Sequence, residues 1–418
     1  MDFLAFSGSF FKQFRIFGVH PINRIIGGGG KNTPESFRDV ARDKWSTVLV
    51  VILLTIYWFG IVMSFFMDHK GNDKISAISN IIQLILNAVA LTTILTNGLL
   101  KFRTFDNILQ EFALIDENLR GVGRAIKYHR SLILSRSILL TFIGYLILSI
   151  VFDCYVTVIR YEMTPIWYWI VATLPSVVYS MCLLQAMFII TWISTRCHLV
   201  NSILRHDARA RYLKSLPTVL SITGSIKSNM QKSVDLITKI YTIMSEICQL
   251  SRTVDVFMGP PFLTIITAIF AVTSIQVYYI YVTAITMDTA PDTSGFSIWS
   301  LLVSLNIVLM NVFLVISLTT ICERVNSETV EILQNFSDLQ INKEVPAELS
   351  IWLHPMISHM RFTAFGFFSI DYTMLCGFMT AIITYLVIFI QFYSLDPIHG
   401  DVNVLRANVK PPMPTKVF

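Results

Sequence analysis

Along the chain, long runs of apolar residues alternate with shorter stretches that carry nearly all of the charge. Seven runs approach the ~20 residues that a helix needs to cross a bilayer: Trp45–Met67, Ile75–Leu100, Ser137–Ile159, Ile166–Thr195, Pro261–Met287, Phe296–Cys322 and Tyr372–Leu395. Between the runs the pattern changes. Met230, Val234, Ile237, Tyr241, Met244 and Cys248 recur at three- and four-residue spacing, which predicts an amphipathic helix leading into the fifth run. Val325, Thr329, Ile332, Phe336 and Leu339 repeat the pattern after the sixth. These faces need apolar partners in water, so the inner loops are expected to pack into one helical assembly. Helices lying on the membrane surface are the alternative. No internal repeat is present.

Composition agrees with the pattern. Of 418 residues 54% are hydrophobic and 14% charged, where a soluble chain carries roughly 25% charged residues. The mean hydropathy is +0.62. Too few charges are present to cover a globule of 47.6 kDa, so the fold class expected is an all-α integral membrane protein of seven transmembrane helices. The six cysteines form no C-x-x-C pair and no histidine cluster has metal-ligand spacing, so neither a disulfide framework, a metal site nor a cofactor is expected. The formal charge of +5 reads as loop asymmetry and not as a nucleic-acid footprint. The N-terminus lacks a short apolar core with a small-residue cleavage site, so no signal peptide is expected.

That asymmetry sets an orientation, because Lys and Arg stay cytoplasmic. The N-terminal segment holds seven, the loop 101–130 six, the loop 196–260 nine, and the last inter-run loop three, which places 25 on one side. The alternate loops and the tail hold six. The expected arrangement is a cytoplasmic N-terminus and an extracellular C-terminus. The sequon Asn335-Phe336-Ser337 then falls on the cytoplasmic side, where it stays unmodified. The aromatic-rich stretch "FLAFSGSFFKQFRIFGVHPI" reads as an interfacial segment, followed by the glycine run 27–30. The tail "KPPMPTK" reads as a polar, extended extracellular end.

The last run carries the most informative face. On a helix, Thr373, Gly377, Thr380, Thr384, Ile388 and Gln391 fall in one stripe of small or polar side chains interrupted by a single isoleucine. Leu375, Phe378, Ile382, Leu386 and Phe389 occupy the opposite surface. Small residues also let membrane helices approach closely, so a packing face competes with a functional one. Gln391 favours function: repeated around a symmetry axis, the stripe lines a water-filled pore in which Ile388 forms an apolar ring that gates by dewetting.

Residues 384–392, "TYLVIFIQF", resemble the signature in the last helix of the insect gustatory receptors, relatives of the odorant receptors: Thr-Tyr, five apolar residues, Gln-Phe. The preceding "FGFFSIDYTML" and the N-terminal "FGVHPI" are similar to the same family, and the run count and orientation match along essentially the whole chain. The 26 residues after Phe392 exceed the tail these receptors usually carry. The resemblance implies a ligand-gated, non-selective cation channel of four subunits in the plasma membrane of a sensory neuron, with the last helix lining the pore. The tetramer is either a homomer or a heteromer with related receptors. By position, Ile388 and Phe392 become the gate, with Gln391 beside them and Thr384 deeper; Phe392 is added by the resemblance alone.

The resemblance also implies a pocket for a small organic tastant among the outer halves of the earlier spans. The candidates there are Gln83, Asn87, Asp153, Tyr155, Trp167, Tyr168, Gln276, Tyr279, Trp299 and Asn306. Trp and Tyr near span ends also form the interfacial aromatic belt. Asp153 is an acid inside a span, a costly placement. It serves either to attract a cationic ligand or to pair with Arg160. The division expected is an N-terminal segment 1–44, a six-helix ligand-binding region 45–322, a cytoplasmic anchor 323–371, the pore helix 372–395 and a tail 396–418. A G-protein-coupled receptor is opposed by the inverted charge count and by missing NPxxY-like and Asp-Arg-Tyr motifs, and a transporter by missing inverted repeats. No HExxH, GxSxG or Walker motif points to an enzyme.

Overall fold

The computed structural model describes residues 48, 50–63, 74–123, 128–160, 166–215, 223–289, 294–341 and 360–395. The N-terminal segment, the loop segment 342–359, the tail 396–418 and the side chains of Met230, Val234, Leu339 and Arg160 lie outside what is described. Among the described residues eight helices follow one another: α1 (Val50–Met63), α2 (Lys74–Leu100), α3 (Phe102–Gly121), α4 (Tyr128–Cys154), α5 (Ile166–Ser215), α6 (Thr223–Thr289), α7 (Ser294–Ile341) and α8 (Tyr372–Leu395). A π-helical turn, Tyr155–Arg160, extends α4. Among the described residues six helices are long and apolar enough to span a membrane, and Val50–Met63 is a shorter apolar helix. The chain is a multi-pass, all-α membrane protein.

Several helices run far past their apolar spans. The amphipathic stretch and the fifth apolar run are one helix, α6, of 67 residues, and the sixth run continues through α7 to Ile341. Their inward faces meet. Ile237, Met244, Cys248, Val325, Thr329, Ile332 and Phe336 are all buried, and α3 packs its Ile108, Leu109, Phe112 and Ile115 against α6 in the same core. This end of the bundle, where α2 turns into α3, is the base. α5 is the central helix, with 83% of its apolar window buried. α8 is peripheral, with 11% buried.

Polar ties hold the base. Arg196 on α5 and Asp116 on α3 form a buried ion pair at 2.7 Å, and the guanidinium sits 4.4 Å over the Phe112 ring. A further guanidinium nitrogen donates to the Trp192 carbonyl at 2.9 Å. Asn118 bridges α3 to Glu246 on α6. Between α5 and α7, Asn201 donates to Glu328 and Glu331, and Asn335 donates to Asn201.

At the junction of base and apolar spans, α6 carries Gly259-Pro260-Pro261. Each proline lacks an N–H and so deprives the carbonyl four residues earlier of its helical donor. The two carbonyls concerned belong to Val256 and Phe257. Lys101 Nζ donates to the first at 3.1 Å and Asn97 Nδ2 to the second at 2.9 Å. The end of α2 thus completes the backbone of α6.

The same junction seats a short hairpin that leads into α8. Thr363 and Ser369 form an antiparallel bridge, and the Phe367 N–H closes the turn onto the Ala364 carbonyl at 3.1 Å. Phe365 and Gly366 occupy the turn with φ of 56° and 77°. Two positive values mark a type I′ turn, the tight turn whose twist suits a hairpin. Asp255 of α6 accepts the Thr363 N–H at 2.6 Å and its hydroxyl at 3.0 Å. One turn along α6, Gly259 admits the hairpin: a Cβ there would lie 3.2 Å from the Phe365 backbone. Asp371 then caps α8 by accepting the Met374 N–H at 2.9 Å. The Ser369 hydroxyl bonded to Asp371 holds its carboxyl below the usual aspartate range.

Candidate functional site

Away from the base, α2, α4, α5, α6 and α7 enclose a cavity of about 220 Å³. α5 supplies Trp169, Ala172, Thr173, Ser176, Val177 and Tyr179 to its wall. α4 supplies Leu146, Ser149, Ile150 and Asp153, and Thr157 follows on the π-helical turn. Gln83 comes from α2, Val272 and Gln276 from α6, and Ile307, Met310 and Asn311 from α7. Asp153 Oδ2 accepts the Trp169 indole N–H at 2.7 Å, which links the end of α4 to the start of α5. At the other end, the Tyr179 hydroxyl donates to Asn311 at 3.3 Å and Asn311 donates to Thr273 at 3.4 Å.

Of the ten candidate ligand residues, Gln83, Asp153 and Gln276 line this cavity. Asn306 stands one step behind it, donating to the Ser149 hydroxyl while accepting from Tyr145 at 2.8 Å. Asn87 is buried one turn from Gln83, and neither of its amide atoms has a hydrogen-bond partner among the described residues. Tyr279 ties α6 to α2 through Asn80 at 3.0 Å. Trp299 packs against Phe152. Tyr155 is exposed, Trp167 is half-buried outside the wall, and the side chain of Tyr168 lies outside what is described. The wall also includes Ser149, Trp169, Ser176, Tyr179 and Asn311, which sequence reasoning passed over. Ser176 follows Pro175 inside α5, an interruption of the helix that serves as a sequence signal for this region.

α8 packs one apolar face on α6 and leaves the rest of its surface exposed, Met379, Ile383 and Val387 included. Phe378 and Ile382 are buried, and Leu375, Leu386 and Phe389 are half-buried. Three ring contacts fix that face to α6: Phe270 with Phe378 at 5.7 Å, Phe270 with Tyr385 at 5.6 Å, and Tyr278 with Phe389 at 5.2 Å. Thr373, Gly377, Thr380, Thr384, Ile388 and Gln391 are all exposed. Thr380 and Thr384 spend their hydroxyl protons on carbonyls four residues back, at 2.9 and 3.0 Å. The Phe392 side chain lies outside what is described. A second, more polar cavity of about 280 Å³ sits at the foot of α8, beside Glu323, Asn326, Arg361 and Asp371.

The sequence profile of a family described as 7tm chemosensory receptor matches residues 9–396. Among solved structures, the insect olfactory receptor OR5 from Machilis hrabei superposes with a TM-score of 0.51 at 11% identity, covering 94% of this chain and 100% of that one. The same receptor in complex with eugenol superposes with a TM-score of 0.51 at 12% identity over the same shares. At these identities the likeness is one of fold. No curated protein matches the chain.

Proposed function

We propose that this chain, which belongs to the 7tm chemosensory receptor family, is a gustatory receptor that works as a tastant-gated, non-selective cation channel. The observation that carries the reading is the bare stripe of α8. A membrane-length helix packs its apolar face on α6 and leaves Thr373, Gly377, Thr380, Thr384, Ile388 and Gln391 uncovered. Four copies of α8 around an axis give that stripe water, and give each Gln391 amide both water and its counterparts. Ile388 and Phe392 form the closed ring, with Thr384 deeper in the path.

In this reading α6 couples ligand to pore. Val272 and Gln276 line the cavity. Phe270 and Tyr278, two residues before and after them, pack on α8. Further down the same helix, Asp255 and Gly259 hold the hairpin from which α8 springs. A tastant that fits one cavity shape better favours the conformation in which the α8 helices splay and the Ile388 ring wets. That a relative of the same fold has been solved with eugenol, a small organic molecule, supports a ligand of this size.

The remaining assignments follow the loop charges and the resemblance: seven crossings, a cytoplasmic N-terminus, an extracellular tail 396–418, a ligand-binding region 45–322, an anchor 323–371 that contributes to the base, and a homotetramer in the plasma membrane of a sensory neuron. Whole-cell recording from cells that express only this chain, challenged with a panel of tastants, tests the function. Evoked cation currents are expected, together with labelling of a C-terminal tag on intact cells. Silence in cells whose tag is labelled speaks against a channel built from this chain alone, and a tag reached only after permeabilisation reverses the orientation.

A further inference from the structure

We infer that the cavity takes a small organic ammonium, with its charged head at Asp153 and its apolar body directed toward Met310; this rests on the cavity being the tastant site. Among the described residues that line the cavity none is basic, and Asp153 is the one carboxylate. A carboxylate within a membrane-spanning helix is expensive unless it is neutralised or well solvated. Trp169 supplies one hydrogen bond, at 2.7 Å, to Oδ2. An ionised carboxylate accepts about four, and Oδ1 has no donor among the described residues. No lining residue supplies a positive charge, so a bound donor that carries one fits this carboxylate; Arg160 competes for the same place, and equal affinities for an amine and its alcohol would assign it there.

The surroundings shape the rest of that partner. Asp153 lies at the end of α4 and Trp169 near the start of α5, so the acid and an indole share one end of the cavity. An ammonium there gains the carboxylate, which the Trp169 N–H already holds in place. One and two turns deeper Ile150, Leu146, Val177 and Met310 supply apolar wall among the hydroxyls of Ser149, Thr173 and Ser176. A volume of 220 Å³ is below the ~300–1,000 Å³ of drug-sized sites, which limits the body to a single ring or a short branched chain. Neutral alcohols of the same shape keep the apolar contacts and lose the charge-assisted bond.

The test uses the purified full chain and two matched pairs: 2-phenylethylamine against 2-phenylethanol, and cyclohexylmethylamine against cyclohexylmethanol. Thermal stabilisation across a concentration series gives apparent affinities. Each amine is expected to bind roughly tenfold or more tighter than its alcohol, the size of one charge-assisted hydrogen bond. Asp153→Asn keeps an acceptor for Trp169 and removes the charge, so it is expected to erase the difference between amine and alcohol. Equal affinities for amine and alcohol in the natural chain, no stabilisation by either amine, or an amine preference that survives Asp153→Asn each overturn the proposal. The first two outcomes need no variant to fold. Stabilisation requires no conduction, so amine binding without current overturns the channel and keeps the amine site. Current from the alcohols alone keeps the channel and overturns the amine site.

Discussion

Asn97 donates its side-chain amide to the Phe257 carbonyl, 2.9 Å away, and that carbonyl is the one Pro261 leaves without a helical donor. A residue of α2 thus stands in for a missing hydrogen bond within α6. Asn97→Ala leaves a buried carbonyl unpaired, at a cost of about 1–3 kcal/mol. The variant is expected to lower the thermal midpoint of the purified chain. Lys101→Ala, on the more exposed Val256 carbonyl, is expected to shift it less.

Gly259 is the second constraint at this junction. Gly259→Val places side-chain atoms against the Phe365 backbone, which a Cβ alone would approach to 3.2 Å. Backbone does not yield as a flexible side chain does, so the hairpin must lift from α6. If that seat sets the position of α8, currents in Gly259→Val channels change in threshold or amplitude while ligand binding at the distant cavity stays within about threefold, an interaction-free difference for well-separated sites. Unaltered currents would separate the hairpin from gating.

Gly366→Ala tests the turn by a different route. Gly366 has φ of 77° and open space around its missing Cβ, so the penalty is conformational and of order 1 kcal/mol. Its effect on stability is expected to be smaller than that of Asp255→Ala, which removes the acceptor of both Thr363 donors.

Arg196 and Asp116 form a buried pair with 3% and 8% of their side-chain surface exposed. Removing one partner strands the other, which costs about 3–5 kcal/mol. Arg196→Met or Asp116→Leu alone is expected to reduce yield and collapse the monodisperse elution peak. The double variant is expected to recover much of the loss, and the double-mutant cycle measures their coupling.

Ile388 is 37% exposed in the chain, on the uncovered face of α8. Ile388→Ser is expected to raise resting cation leak, because a ring that is both wider and polar wets more readily. The check is conductance in the absence of tastant. Resting and evoked currents equal to those of the natural chain would falsify the pore assignment.

The helices were legible because burial imposes a period. The spacing of Ile237, Met244 and Cys248 and of Val325, Ile332 and Phe336 follows from one-sided burial at the base, and those residues are buried there. The packed face of α8, with Leu375, Phe378, Ile382, Leu386 and Phe389, was legible for the same reason. Ties between distant residues left no such trace. Asp116 and Arg196 are 80 positions apart, and each sits in a polar stretch that reads equally well as solvated. Trp169 was hidden by its place at a span end, where an aromatic ring ordinarily marks the interface. The hairpin did leave a signal: Met360, Phe362 and Ala364 are buried at alternate positions ahead of Phe365-Gly366. So short a strand is easily overlooked between two membrane-length helices.

Among the described membrane-length helices, α8 is the one its own chain covers least. Within one chain Thr380 and Thr384 are answered by carbonyls of their own helix, but the exposed Gln391 amide is left for lipid, a placement hydrocarbon penalises. If the proposed tetramer is what covers this stripe, the amount of protein that accumulates is set by how soon a new chain meets company.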